Sequence, residues 1–207
     1  MILADIFASI WAFVADNQIT LIAATINFVW VYLEYKASMW LWPVGIILPI
    51  FYIIVSLQAH FYGNVLINVY YLATSIWGWW VWSRRQGETE QGRICVLPFR
   101  AGLLSFGVAL PLYWLLYWLL STYTDSVLPW ADALATMISF IGMIWLARRW
   151  REHWICWIVA NALSVMLFYL SADYVSLVVF ACNFVIAIFG YIKWIELSKE
   201  PHHATLF

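Results

Sequence analysis

Asn64, Asn68, Tyr71, Ser75 and Gly78 follow one another at spacings of 4, 3, 4 and 3. On a helix that spacing puts all five on one face. The surrounding residues are apolar, so the face is a polar stripe on a hydrophobic element. In lipid such a stripe must meet protein or a wet cavity, because nothing else there satisfies its donors and acceptors. Ser176, Phe180, Asn183, Ala187 and Gly190 repeat the spacing with fewer polar members. Asn27, Gln58 and Asn161 are further amides in apolar stretches. Two readings fit. One is hydrogen bonding between helices, worth about 0.6–2 kcal/mol per contact. The other is a ring of donors and acceptors for a neutral, hydroxyl-rich solute.

The chain has 16 tryptophans. Trp40, Trp42, Trp79, Trp80, Trp82, Trp130 and Trp150 stand at the ends of apolar segments and read as interfacial anchors. An indole also stacks on a planar ring or attracts a cation. Trp42, Trp154 and Trp157 are therefore candidates for covering an aromatic solute.

Other chemistry is missing from the pattern. No Asp, Glu, Lys, Arg or His is expected in mid-membrane, which argues against an ion pump or a proton-coupled exchanger. No acid, base, nucleophile or metal-ligand set converges, so neither an enzyme nor a cofactor is expected. Cys95, Cys156 and Cys182 lie far apart and read as packing residues.

The elements that carry these residues belong in a membrane. The 207 residues are 66% hydrophobic and only 10% charged. A soluble domain carries about 25% charged residues. The net charge of −1 offers no field for nucleic acid. A membrane helix needs about 20 mostly apolar residues. Seven such segments are predicted, at roughly 18–36, 40–59, 61–83, 98–121, 130–148, 153–171 and 173–194. Segment 3–15 is too short to span and lacks the basic start of a signal peptide. It is expected to lie on the membrane surface as an interfacial helix.

With this count all ten basic residues fall on one side. They are Lys36, Arg84, Arg85, Arg93, Arg100, Arg148, Arg149, Arg151, Lys193 and Lys199. The positive-inside rule makes that side cytoplasmic, with the N-terminus outside and the C-terminus inside.

Residues 20–82 and 132–194 overlay without a gap at an offset of 112, with nine identities. These include Trp42/Trp154, Tyr62/Tyr174, Gly78/Gly190 and Trp82/Trp194. A three-helix unit ends on the side opposite its start, so one linking helix is needed to set a second copy parallel to the first. The fold class expected is therefore all-α integral membrane, with 3+1+3 parallel repeats and a site between the repeats. The divisions are an N-terminal segment (1–17), bundle 1 (18–83), a cytoplasmic loop (84–97), a linker helix (98–121), bundle 2 (130–195) and a cytoplasmic tail (196–207).

The stretch ARRWREHWICW at 147–157 resembles the (R/K)-x-x-E-x-W-x-x-W pattern of PnuC vitamin transporters, on Arg149, Glu152, Trp154 and Trp157. The helix endings GWWVW and GYIKW resemble the same family's G-x-x-x-W signatures. The likeness covers about residues 18–195. It implies a SWEET-like fold, a homotrimer in a bacterial inner membrane and a periplasmic N-terminus. It also implies uptake of nicotinamide riboside (vitamin B3), an NAD precursor, by facilitated diffusion, with trapping by a cytoplasmic kinase. Asn27, Trp42, Gln58, Asn64, Asn68, Tyr71, Trp154, Trp157, Asn161 and Asn183 are then the candidate substrate contacts. A phosphorylated substrate would call for Arg or Lys in the cavity, so the mononucleotide should be rejected. Riboflavin, thiamine or sugar transport, or a membrane scaffold, are the alternatives.

Overall fold

A computed structural model describes residues 18–58, 62–84 and 94–199, without the side chains of residues 19, 20, 55, 56, 58 and 62–64. The surface segment expected at 3–15 lies outside the described residues, as do Arg85, Arg93 and the tail from 200. Among the described residues seven helices are formed: α1 (Gln18–Tyr35), α2 (Leu41–Gln58), α3 (Tyr62–Ser83), α4 (Phe99–Tyr123), α5 (Pro129–Ala147), α6 (His153–Leu170) and α7 (Tyr174–Lys199). The expected boundaries hold to within a few residues, and the main difference is at the end of α7. It runs on to Lys199, where Lys193 pairs with Glu196 one turn later at 3.5 Å. Among the described residues there is no strand, only a bridge between Cys95 and Trp150.

By length and composition α4, α5, α6 and α7 are apolar enough to cross a membrane. Shorter apolar runs, Leu21–Tyr35 and Leu41–Ile54, lie in α1 and α2. The polar stripe lowers the hydropathy of α3. The molecule is turned inside out relative to a soluble protein. Leu66, Phe99, Leu104 and Phe106 point outward, while Glu34, Asn68, Ser75, His153 and Asn183 are buried. That distribution suits a lipid solvent.

Six helices close into a ring. α1 packs on α2, α2 on α3, α3 on α5, α5 on α6, α6 on α7, and α7 returns to α1. α4 stands outside the ring and, among the described helices, packs only on α5. There Trp145 donates its indole N–H to Ser105 Oγ at 3.0 Å.

Geometry recurs at residues 112 apart. α1 ends with Ala37 at φ 51°, and α5 with Arg149 at φ 60°. Both turns close by the same bonds: Ser38 N–H to the Leu33 carbonyl at 2.9 Å, and Trp150 N–H to the Trp145 carbonyl at 3.0 Å. This is the left-handed C-terminal stop of a helix. Trp42 lies over Gly78 and Trp154 over Gly190, each so close that a Cβ on the glycine would overlap the indole. Trp82 meets Trp42 edge to face at 5.4 Å, and Trp194 meets Trp154 at 6.1 Å. The outer pair of indoles ties the halves together. Trp82 donates to the Ala147 carbonyl at 3.2 Å, and Trp194 to the Glu34 carbonyl at 3.1 Å. The expectation that Trp42 and Trp82 are interfacial anchors is thus corrected, since both are wholly buried. Trp40, Trp79, Trp80 and Trp130 are exposed, as anchors would be.

Candidate functional site

The helix ring encloses a cavity of about 430 Å³. That is within the usual range for small-molecule sites, about 300–1,000 Å³. Every ring helix contributes to its wall: α1 through Asn27, Trp30 and Glu34; α2 through Gly45, Pro49 and Tyr52; α3 through Asn68, Tyr71 and Ser75; α5 through Ser139; α6 through Trp157, Asn161 and Ser164; α7 through Phe180 and Asn183.

Of the residues singled out in the sequence, Asn27, Asn68, Tyr71, Trp154, Trp157, Asn161 and Asn183 line this cavity. The side chains of Gln58 and Asn64 lie outside the described residues. Trp42 is not on the wall. With no side chain at Gly78 to exclude it, its indole packs between α2 and α3, away from this cavity. Trp154 occupies the equivalent place against Gly190 but still reaches the wall.

Two polar contacts organise the interior. Asn27 donates its amide N–H to Asn183 Oδ1 at 3.1 Å, joining α1 to α7. Ser75 donates to the Gly45 carbonyl at 3.2 Å, joining α3 to α2. Asn27 and Ser139 stand 112 residues apart, and both face the cavity.

The aromatic lining breaks that correspondence. Trp30 on α1 packs over Gly45 on α2, where a Cβ would lie 2.9 Å from the indole nitrogen. Trp157 on α6 packs over Gly142 on α5, where a Cβ would lie 3.3 Å from the ring. At the offset of 112, Trp30 corresponds to Gly142 and Gly45 to Trp157. The large and small partners have exchanged helices. As a result the two indoles meet edge to face at 6.2 Å and form one aromatic corner.

An acid stands in that corner. Glu34 is wholly buried, and its Oε1 accepts the Trp157 indole N–H at 2.6 Å. His153, also wholly buried, brings Nε2 to 2.9 Å from the same oxygen, without hydrogen-bond alignment. Two ionisable side chains are thus buried inside the helix bundle, Glu34 in the last turn of α1 and His153 at the first residue of α6. In sequence Glu34 stands near a helix end, two residues before Lys36. Its burial comes from α6, more than a hundred residues away. The available signal was spacing, since Asn27, Trp30 or Val31, and Glu34 share one helical face. Glu152, the acid of the sequence pattern, does different work. It accepts the Leu97 backbone N–H at 2.7 Å and pairs with Arg151 at 3.1 Å, pinning residues 94–97 to the α5–α6 turn.

The arrangement can hold a flat aromatic ring in a tryptophan corner beside a carboxylate, with amides and hydroxyls around the rest of the solute. Among the described residues no Lys or Arg lines the wall. A profile described as nicotinamide mononucleotide transporter matches residues 17–196, most of the chain. The chain belongs to the nicotinamide mononucleotide transporter family. This family membership and the apolar helices make it a multi-pass membrane transport protein. Among similar proteins, the nicotinamide riboside transporter PnuC of Escherichia coli strain K12 is 24% identical over 172 residues, covering 71% of this chain and 72% of that one. The PnuC of Neisseria mucosa is 25% identical over 213 residues, covering 93% and 78%. The riboflavin/roseoflavin transporter RibM of Streptomyces davaonensis is 22% identical and covers 95% and 90%. A crystal structure of the vitamin B3 transporter PnuC superposes with a TM-score of 0.72 at 24% identity, covering 94% of this chain and 88% of that one. The family fold is thus the fold of this chain.

Proposed function

We propose that this chain carries nicotinamide riboside across a bacterial inner membrane, binding it in the cavity enclosed by the six-helix ring. The observation that carries the reading is the wall itself. Trp30 and Trp157 offer faces for a pyridinium ring, while Asn27, Asn68, Asn161 and Asn183 offer partners for ribose and carboxamide. The similar PnuC proteins are riboside transporters, which supports the same substrate. Despite the family's description, the mononucleotide is disfavoured. Its phosphate would meet the Glu34 carboxylate and, among the described residues, no basic side chain on the wall.

The architecture we propose is 3+1+3, with parallel repeats α1–α3 and α5–α7, α4 as linker, all seven helices spanning and the basic ends cytoplasmic. Recurrent geometry at the offset of 112 and the order of contacts around the ring support it. The outward apolar face of α4 is available to the homotrimer that the PnuC resemblance implies. Facilitated diffusion is also implied by that resemblance.

The test is uptake by purified protein in liposomes with the membrane potential clamped. Nicotinamide riboside should enter down its gradient and the mononucleotide should not. Entry of riboflavin or a sugar in place of the riboside overturns the substrate.

A further inference from the structure

The two tryptophans of the cavity corner are backed so that neither can retreat. Trp30 leans on α2 at Gly45, where a Cβ would come within 2.9 Å of the indole nitrogen. Trp157 leans on α5 at Gly142, where a Cβ would lie 3.3 Å from the ring. Its indole N–H is also held by Glu34 Oε1 at 2.6 Å. The two ring planes meet at 78°. A flat solute ring stacked on one indole is therefore stopped by the other. Protein interiors are packed too densely for such walls to spread apart freely.

The corner is also shallow. Trp30 meets Trp157, and Glu34, one turn later on α1, meets His153, one turn earlier on α6. The two helices thus run antiparallel. Asn27 stands three residues before Trp30, and Asn161 four residues after Trp157. Each spacing sets the amide on the same helical face as its indole, one turn away, ~5 Å along the axis. Because the helices are antiparallel, both amides lie on the same side of the corner, and both line the cavity. The depth between corner and amides is that of a single ring. A riboside whose ring fills the corner brings its ribose to the amides. A fused system adds a second ring to that depth and carries the sugar past them.

We infer that Trp30 sets the ring-size limit of the site: with Trp157 it admits one aromatic ring and excludes fused systems such as purines and flavins. This rests on riboside binding in the cavity, as proposed above, and adds the residue that decides which ring is accepted. Trp30 is that residue because the equivalent place on α5, 112 positions on, holds Gly142. A small residue at position 30 would leave open the space against Gly45 and Ser75, both on the cavity wall. A second fused ring could then enter it while the sugar stays at the amides. Trp157 is the poorer target for a test, since removing it also takes a donor from Glu34.

The purified protein is titrated with four probes, and a thermal midpoint is read beside each titration. Nicotinamide riboside is the proposed substrate, and uridine is an uncharged riboside of one ring. Adenosine is a riboside of two fused rings, and riboflavin carries three fused rings on a ribityl chain. The wild type should bind nicotinamide riboside at least tenfold more tightly than adenosine or riboflavin, roughly the scale on which a pocket discriminates by size. Trp30→Ala should bind adenosine about tenfold more tightly than the wild type does, while holding nicotinamide riboside more weakly. A purely structural role for Trp30 would weaken every probe and gain none. Trp30→Phe trims the indole but keeps a ring against Gly45. It should show a smaller gain in the same direction, and it carries the test if Trp30→Ala does not fold. A wild type that binds adenosine or riboflavin as tightly as the one-ring ribosides overturns the inference. A folded Trp30 variant that gains no fused ligand overturns it and leaves the substrate standing. Uridine bound in place of nicotinamide riboside, with adenosine excluded by the wild type and admitted by the variant, overturns the substrate and leaves the inference standing.

Discussion

The Trp154 indole occupies the space that a side chain on residue 190 would need. A Cβ built on Gly190 lies 2.6 Å from the ring, and one on Gly78 lies 2.3 Å from the ring of Trp42. Overpacking of this kind costs about 1–3 kcal/mol. Alanine's better helix propensity offsets about 1 kcal/mol of that. Gly78→Ala and Gly190→Ala should both lower the thermal midpoint in detergent. Gly107→Ala on α4 is the internal control, because nothing lies within 4 Å of its added methyl group. It should leave the midpoint unchanged or raise it. Equal midpoints for all three variants would mean that the indoles turn aside freely.

Helix positions, the closing Gly and Trp signatures and most amide positions were legible in the sequence. Lipid enforces a simple rule, since each helix must be long, apolar outside and polar only where it meets protein or water. What the pattern did not reveal was which partner each side chain finds across the bundle. Trp42 and Trp154 occupy matching positions, yet only Trp154 reaches the cavity. The difference lies in packing between helices, which no local pattern encodes. Glu34 was missed for the same reason. Its neighbour Lys36 suggests a wet helix end, whereas His153 and Trp157 enclose the carboxylate from α6.

The orientation can be tested at described positions on opposite ends of the bundle. Cys95, Cys156 and Cys182 are first replaced by alanine, and single cysteines are introduced as Ser126→Cys and Glu196→Cys. In intact cells a membrane-impermeant thiol reagent should label position 126 and spare position 196, following the one-sided basic residues. The opposite labelling reverses the orientation, and labelling of both positions breaks the seven-span count.

Selection against phosphate should persist when the cavity is left otherwise intact. A carboxylate near a phosphate adds like-charge repulsion, and among the described residues no wall guanidinium or ammonium offsets it. The mononucleotide should compete with the riboside only weakly in an equilibrium binding assay. Glu34→Gln should narrow the gap between the two by weakening the riboside and sparing the mononucleotide. Equal competition in the wild type would mean that phosphate finds a cationic partner elsewhere in the chain.

Asn183 and Asn68 separate a binding role from a structural one. Asn183 accepts from Asn27 and faces the cavity from α7, and Asn68 faces it from α3. If the amides serve the solute, replacing either leaves a substrate group unpaired in the cavity. That costs about 1–3 kcal/mol, or about 5–150-fold in affinity. Asn183→Leu should also lower the thermal midpoint, because it strands the Asn27 amide donor. Binding titration beside a thermal melt distinguishes the roles. Weakened binding at a near-normal midpoint for Asn68→Leu places the polar stripe of α3 in contact with the solute. Wild-type affinity in both variants, with lowered midpoints, would make these amides interhelical fastenings and move the solute contacts to Tyr71, Asn161 and the tryptophan corner.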